Sequence, residues 1–197
     1  MIKSCFFPAD IKVNVFEINE GKFLDRSDYY IEAFLLEHRV PCMGFRIIEK
    51  DRRRIKLDFV KELGIPECPE LGRLQRGQNI KWNNNVVKAE DATTLIKGKI
   101  VGYISDTQNC SNCMSIARDA DILISESTFS SEQQEKAEEY KHMTSAQAAL
   151  VASNSNATKL ILTHFSGRYK EVSLLLDEAR TIFPNTIAAY DFLKIKV

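Results

Sequence analysis

The sequence predicts an α/β fold in which a β-meander leads into strands alternating with helices. Residues 11–48 alternate apolar and polar positions in short runs: Val13, Val15 and Phe16; Tyr30, Ile31, Ala33, Phe34, Leu35 and Leu36; Phe45, Ile47 and Ile48. Gly21, Asp25, Ser27 and Asp28 punctuate these runs, as turns between antiparallel strands require. From residue 98 onward short apolar stretches alternate with helical ones, which indicates a parallel layer.

The elements follow in order. Lys50 to Arg54 reads as a charged, solvated turn rather than an RNA contact, and Leu57 to Leu63 as a short helix stopped by Gly64 and Pro66. Residues 64–80, with Pro66, Pro69, Gly72 and Gly77, read as loop. Lys99 to Ile104 and Asp121 to Ser125 are strands, and Ser131 to Tyr140 is helical in composition. Thr144-Ser-Ala-Gln147 fits a capping box opening an Ala-rich helix that runs to about Ser153. Lys159 to Thr163 is a strand, Glu171 to Ile182 a helix, and Thr186 to Val197 carries the last strand. With neither repeat nor flexible linker, residues 1–197 are expected to form a single domain, or half of one.

Composition narrows the function classes. A 44% apolar fraction suffices for a core, and Lys+Arg equals Asp+Glu at 27 each. A nonspecific nucleic-acid coat protein is normally basic, so any RNA binding here is local. Residues Ile2 to Asp10 are too short and polar for a signal peptide, and no apolar run nears the ~20 residues of a bilayer span. A cytoplasmic protein without membrane association is expected. Five scattered cysteines argue against a disulfide framework. Cys110-x-x-Cys113, unaccompanied by a second such pair, reads as two incidental thiols in a loop rather than half a zinc knuckle or a redox pair.

Asp106 and His164 each follow directly on an apolar strand, where α/β folds gather ligands and metals. Taken alone, either is as readily a turn former or a surface side chain. Several segments recur together, however: Leu36-Glu-His38-Arg-Val-Pro, Ile104-Ser-Asp106-Thr107, Leu123-Ile-Ser-Glu126-Ser-Thr128, Lys141-His142-Met-Thr144, and Leu160-Ile-Leu-Thr-His164-Phe-Ser166-Gly-Arg168-Tyr169. In this order they resemble the second half of the tRNase Z (ribonuclease Z) family, metallo-β-lactamase-fold nucleases that remove 3′ trailers from precursor tRNA. Gly64-Ile-Pro66, Leu74-x-Arg76-Gly77 and Ala188 to Phe192 fit the same pattern.

That resemblance implies half of an αββα sandwich. It implies a metal-dependent endoribonuclease with His38, Asp106 and His164 as metal ligands and Asp106 bridging two zinc ions, manganese being an alternative metal. Glu126 and His142 match the proton-shuttle pair. A histidine held by a carboxylate can be charged near neutral pH and protonate the leaving 3′ oxygen. Ser166, Arg168 and Tyr169 match positions near the scissile phosphate, where an arginine fork suits phosphate oxygens. Departures accompany these matches. The His-x-His-x-Asp-His metal run and the substrate-gripping arm are not in this sequence, Ser125 stands where the family often has His, and Ser105 where it often has Gly. Only three histidines exist, so each ion receives two protein ligands where a catalytic zinc normally has about three. The expected partners are therefore precursor tRNA and a complementary N-terminal half or a further copy of the chain. A non-catalytic scaffold subunit, or another phosphodiesterase of this fold, is the alternative.

Overall fold

A computed structural model describes residues 14–197. Cys5 and the start of the expected meander, residues 11–13, lie outside the described residues. Three antiparallel strands come first: β1 (Gly21–Asp25), β2 (Tyr29–Leu36) and β3 (Cys42–Glu49). Val15 and Phe16, expected in this meander, belong to no strand and are exposed. The second part runs β8 (Ile100–Ile104), α4 (Ser111–Ala117), β9 (Ile122–Glu126), α5 (Gln134–Tyr140), α6 (Ser145–Asn154), β10 (Leu160–Thr163), α7 (Ser173–Ile182) and β11 (Thr186–Ala188). A 3-10 turn, Ser131–Gln133, leads into α5.

Between the two parts lies an insert of β4 (Arg52–Ile55), α1 (Leu57–Glu62), α2 (Pro69–Gln75), β5 (Ile80–Trp82), β6 (Asn85–Val87), α3 (Ala89–Ala92) and β7 (Thr93–Ile96). Val60, Ile65, Leu74, Ile80 and Val87 give it a small core of its own. Two expectations fail here. Arg52 to Arg54 is strand rather than turn, because β4 finds a partner in the distant β7. The region read as loop contains α2, whose Pro69 sits in the first turn, where a missing N–H costs nothing.

Seven strands make one mixed sheet in the order β1-β2-β3-β8-β9-β10-β11. Pairing is antiparallel from β1 to β8 and parallel from β8 to β11. Two successive antiparallel pairings make β2 parallel to β8. The carboxyl ends of β2, β8, β9 and β10 therefore meet at one edge. β11, the last strand expected within Thr186 to Val197, spans three residues, because β10 ends at Thr163 and leaves the tail without a neighbour.

One sheet face packs on helices. Ile104, Leu123, Leu160 and Leu162 are buried with Cys113, Ile116, Met143, Ala148, Ala152 and Ala179. Helix α4, which the sequence reading took for loop, is held by burial of Cys113, Ile116 and Ala117. Glycines let it approach closely: a Cβ on Gly102 would stand 2.7 Å from the Ile116 carbonyl oxygen, and one on Gly44 2.5 Å from Ile116 Cδ1. The opposite face carries cross-strand rows Ala33–Phe45–Tyr103–Ile124–Ile161–Ile187 and Ile31–Ile47–Val101–Ile122. These rows are apolar, yet Ile47 and Tyr103 are each 40% exposed.

Gly102→Ala tests the close approach. Overpacking a tight contact costs about 1–3 kcal/mol. Urea unfolding should show that loss as a lower midpoint with an unchanged slope.

Candidate metal and phosphodiesterase site

The four converging strand ends deliver the predicted residues together. His38 follows β2, Asp106 follows β8, Glu126 closes β9 and His164 follows β10. His142 arrives from the other side. Helix α5 ends on Lys141 in the left-handed conformation, which turns the chain into the Thr144 cap of α6. The predicted capping box is present: Gln147 N–H donates to the Thr144 hydroxyl, and Thr144 N–H to the Gln147 side chain.

Glu126 is the hub. Its side chain has no solvent exposure and accepts five hydrogen bonds. Thr107 N–H and His142 Nδ1 donate to Oε1 at 2.9 and 2.8 Å. Thr128 N–H, Thr128 Oγ1 and Met143 N–H donate to Oε2 at 3.2, 2.8 and 3.2 Å. The Thr128 hydroxyl spends its single proton on Glu126, so its oxygen accepts from His164 Nδ1 at 2.8 Å. His38 Nδ1 donates to the Lys141 carbonyl at 2.9 Å, since a carbonyl can only accept. All three imidazoles are thereby fixed through Nδ1 and present Nε2. The rings lie side by side, His38 to His142 at 4.8 Å between centroids and His142 to His164 at 5.2 Å.

Metal binding can be judged from these bonds. Donor atoms of Glu126, His142 and His164 all lie within 4.8 Å of one another. Glu126 is nonetheless a poor ligand, because five donors already occupy its oxygens. A better pair is His164 Nε2 and Asp106 Oδ1, 3.4 Å apart, with side chains 45% and 39% exposed. Ligand atoms about 2.0–2.1 Å from one tetrahedral zinc stand about 3.3–3.4 Å apart, so this pair fits a metal. His164 adopts φ 56°, a left-handed conformation that few non-glycine residues take. His38 shares the edge through its ring contact with His142, although it joins no close group of donor atoms with Asp106 and His164.

The Ser166, Arg168 and Tyr169 cluster borders His164. Ser166 N–H donates to the Thr128 carbonyl at 3.1 Å. Arg168 is exposed, lies over the Phe129 ring at 4.9 Å and donates to Ser166 Oγ at 3.1 Å and to Gln133 at 3.2 Å. Tyr169 is tied down: its hydroxyl accepts from Ser130 N–H at 2.9 Å and donates to Ser130 Oγ at 3.1 Å. Thr107 and Thr128 carry the site's internal bonds and were given no role from sequence. Their positions, one residue after Asp106 and two after Glu126, were the available signal. Ser105 and Ser125 are both accommodated: Ser105 Oγ donates to the Met43 carbonyl, and buried Ser125 to that of Glu126.

No protein-family model matches the chain. Individual proteins do. Ribonuclease Z of Bacillus cereus is 37% identical over 198 residues, covering 94% of this chain and 62% of that protein. Ribonuclease Z of Archaeoglobus fulgidus is 40% identical over 194 residues, covering 95% and 62%. Over these stretches the chain is similar in sequence to ribonuclease Z proteins. It spans about three fifths of the length of the curated ribonuclease Z proteins it matches. Solved structures give the same fold. Human tRNase Z, short form, superposes with TM-score 0.52 at 23% identity, covering 89% of this chain and 46% of that one. A metallo-β-lactamase-fold protein from Bacillus subtilis gives TM-score 0.54 at 20% identity, covering 84% and 48%. This chain thus carries about half of the metallo-β-lactamase fold.

The hydrogen bond from His142 to Glu126 raises the His142 pKa above its ordinary 6.5, and burial opposes this. A raised folded pKa contributes stability that is complete below 6.5 and lost as pH climbs through the higher folded value. Metal-free protein should therefore lose stability as pH rises through that window, and Glu126→Gln should flatten the slope. Glu126→Ala, which strands three buried N–H groups and a histidine, should cost about 3–5 kcal/mol by urea unfolding.

Proposed function

We propose that the chain is the C-terminal half of a metal-dependent endoribonuclease of the ribonuclease Z type, which cleaves the 3′ trailer from precursor tRNA in the cytoplasm. The observation that carries this reading is the Glu126 hub, which orients His142 directly and His164 through Thr128, with the Asp106 carboxylate 3.4 Å from His164 Nε2 at the same sheet edge. His38, Asp106 and His164 would hold the metals, zinc before manganese because two of the three ligands are imidazoles. Divalent metal there supplies Lewis-acid activation of water and of the phosphoryl oxygen. His142 holds a proton at Nε2 through its bond to Glu126 and passes it to the leaving 3′ oxygen. Arg168, released from Gln133, offers its fork to the phosphate oxygens, and Ser166 steers the guanidinium. Tyr169 shapes the pocket wall through Ser130.

The three histidines of this sequence cannot supply two full metal shells. The reading therefore includes a complementary N-terminal half that brings the remaining ligands. Its second sheet would cover the apolar rows around Ile47 and Tyr103, a surface that favours association. A further copy of this chain is the alternative cover, and it brings no additional ligand types.

The deciding experiment is cleavage of a 3′-extended precursor tRNA by the chain alone and by the chain mixed with an N-terminal half from a related ribonuclease Z. The mixture should take up metal and cleave at the trailer junction, whereas the chain alone should bind zinc weakly in calorimetry. In the mixture His142→Ala should lower cleavage about 10²–10⁴-fold with metal content unchanged. His164→Ala should lose metal as well as activity. Absence of both metal uptake and cleavage in the mixture would sink the proposal and favour a non-catalytic scaffold.

A further inference from the structure

We propose that Cys110 and Cys113 are a disulfide-forming dithiol that reacts with small-molecule disulfides, Cys110 attacking and Cys113 resolving. The two sulfurs lie 3.7 Å apart across the start of α4, so closure needs only local movement. Exposure is unequal: Cys110 is half-buried and Cys113 fully buried, so an incoming reagent meets Cys110. The intervening segment is anchored, since Asn112 Nδ2 donates to the Leu35 carbonyl at 2.8 Å and to Glu20 at 2.9 Å. Cys113 N–H also donates to the Cys110 carbonyl at 3.0 Å. The expected loop with two incidental thiols is thus a structured Cys-x-x-Cys turn.

Its chemistry agrees. The hydrogen bond from the Cys113 thiol, assisted by backbone N–H groups and the Thr107 hydroxyl, pulls the Cys110 thiol down to about 6 against the opposing effect of burial. Cys113 is pushed up by its bond to Cys110 and by burial. At neutral pH Cys110 is therefore largely thiolate, the nucleophilic form. It attacks one sulfur of the external disulfide, whose S–S bond breaks and releases one thiolate. Cys113 then gives up its proton and attacks the Cys110 sulfur of the mixed disulfide, releasing the second thiolate. Two protein thiols are oxidised, the external disulfide is reduced to two thiols, and the Cys113 proton goes to a released thiolate.

The dithiol stands directly behind the candidate site. Thr107 Oγ1 lies 3.9 Å from the Cys110 sulfur, and Thr107 N–H donates to Glu126. The same hydroxyl accepts from Glu37 N–H at 3.0 Å, next to His38.

The inference does not depend on the nuclease reading. The test exposes the reduced full chain to glutathione disulfide at pH 7, followed by alkylation and peptide mass mapping. The unmodified sequence should lose two hydrogens, with Cys110 and Cys113 joined and the other three cysteines alkylated. Cys113→Ser should instead accumulate glutathione on Cys110, about tenfold faster than on any of those three. Cys110→Ser should leave Cys113 reduced. Circular dichroism melting checks that each variant folds. If the unmodified chain keeps both thiols alkylatable at excess oxidant, or glutathione adds first to another cysteine, the proposal is overturned.

Discussion

The candidate site depends on burying one charge. A carboxylate removed from water is costly unless its oxygens are fully bonded, and Glu126 meets that condition with donors from three separate loops. The loop after β8 contributes Thr107 N–H, the loop after β9 contributes Thr128, and the turn before α6 contributes His142 and Met143. Each donor is also a spacer, because satisfying Glu126 sets how far apart these loops can stand. The histidine tautomers follow from the same bonds. An orientation that would otherwise fluctuate is settled by the requirement that a buried anion keep its partners.

The sheet makes that convergence geometrically simple. Strands running the same way end at the same edge, so β2, β8, β9 and β10 bring their following residues together without long excursions. Close packing of α4 on Gly44 and Gly102 holds the sheet's centre against that helix. Cys110 and Cys113 open the same helix, which ties the dithiol to the Asp106 loop. Rigidity at the strands and adjustability in the short loops fit a site whose donor atoms must lie within ångströms of one another.

Local signals were legible where periodicity and capping acted within a few residues. The meander from β1 to β3, the alternation after residue 98 and the Thr144–Gln147 box are of this kind. Failures share a different origin. Arg52 to Ile55 pairs with a strand some forty residues away, and nothing local in a run of arginines announces that. Helix α4 is too short to be stable alone, and burial of Ile116 and Cys113 holds it. The final strand lies within the expected segment, but its bounds were not legible because its length is set by where β10 ends, a tertiary event. At the site, the motifs matched in order identified residues that the structure does assemble, with His38 more loosely placed than expected. The bracing by Thr107 and Thr128 was illegible, since it depends on which loops meet at Glu126.

Two independent features bear on the proposed second half. The first is chemical: one edge presents well-oriented nitrogen and oxygen donors in a number too small to enclose two metals. The second is physical: on the sheet face opposite the helices Ile47 and Tyr103 are each 40% exposed, in rows whose Ala33, Ile122 and Ile161 are buried. A scaffold that had shed catalysis would have reason to keep an apolar docking face. It would have less reason to keep a fully bonded buried glutamate holding a histidine at the sheet edge. In the proposed reading, the bond to Glu126 fixes His142 in one orientation at one position, which proton transfer requires. An enzyme completed by a second half is the proposal that takes in both features.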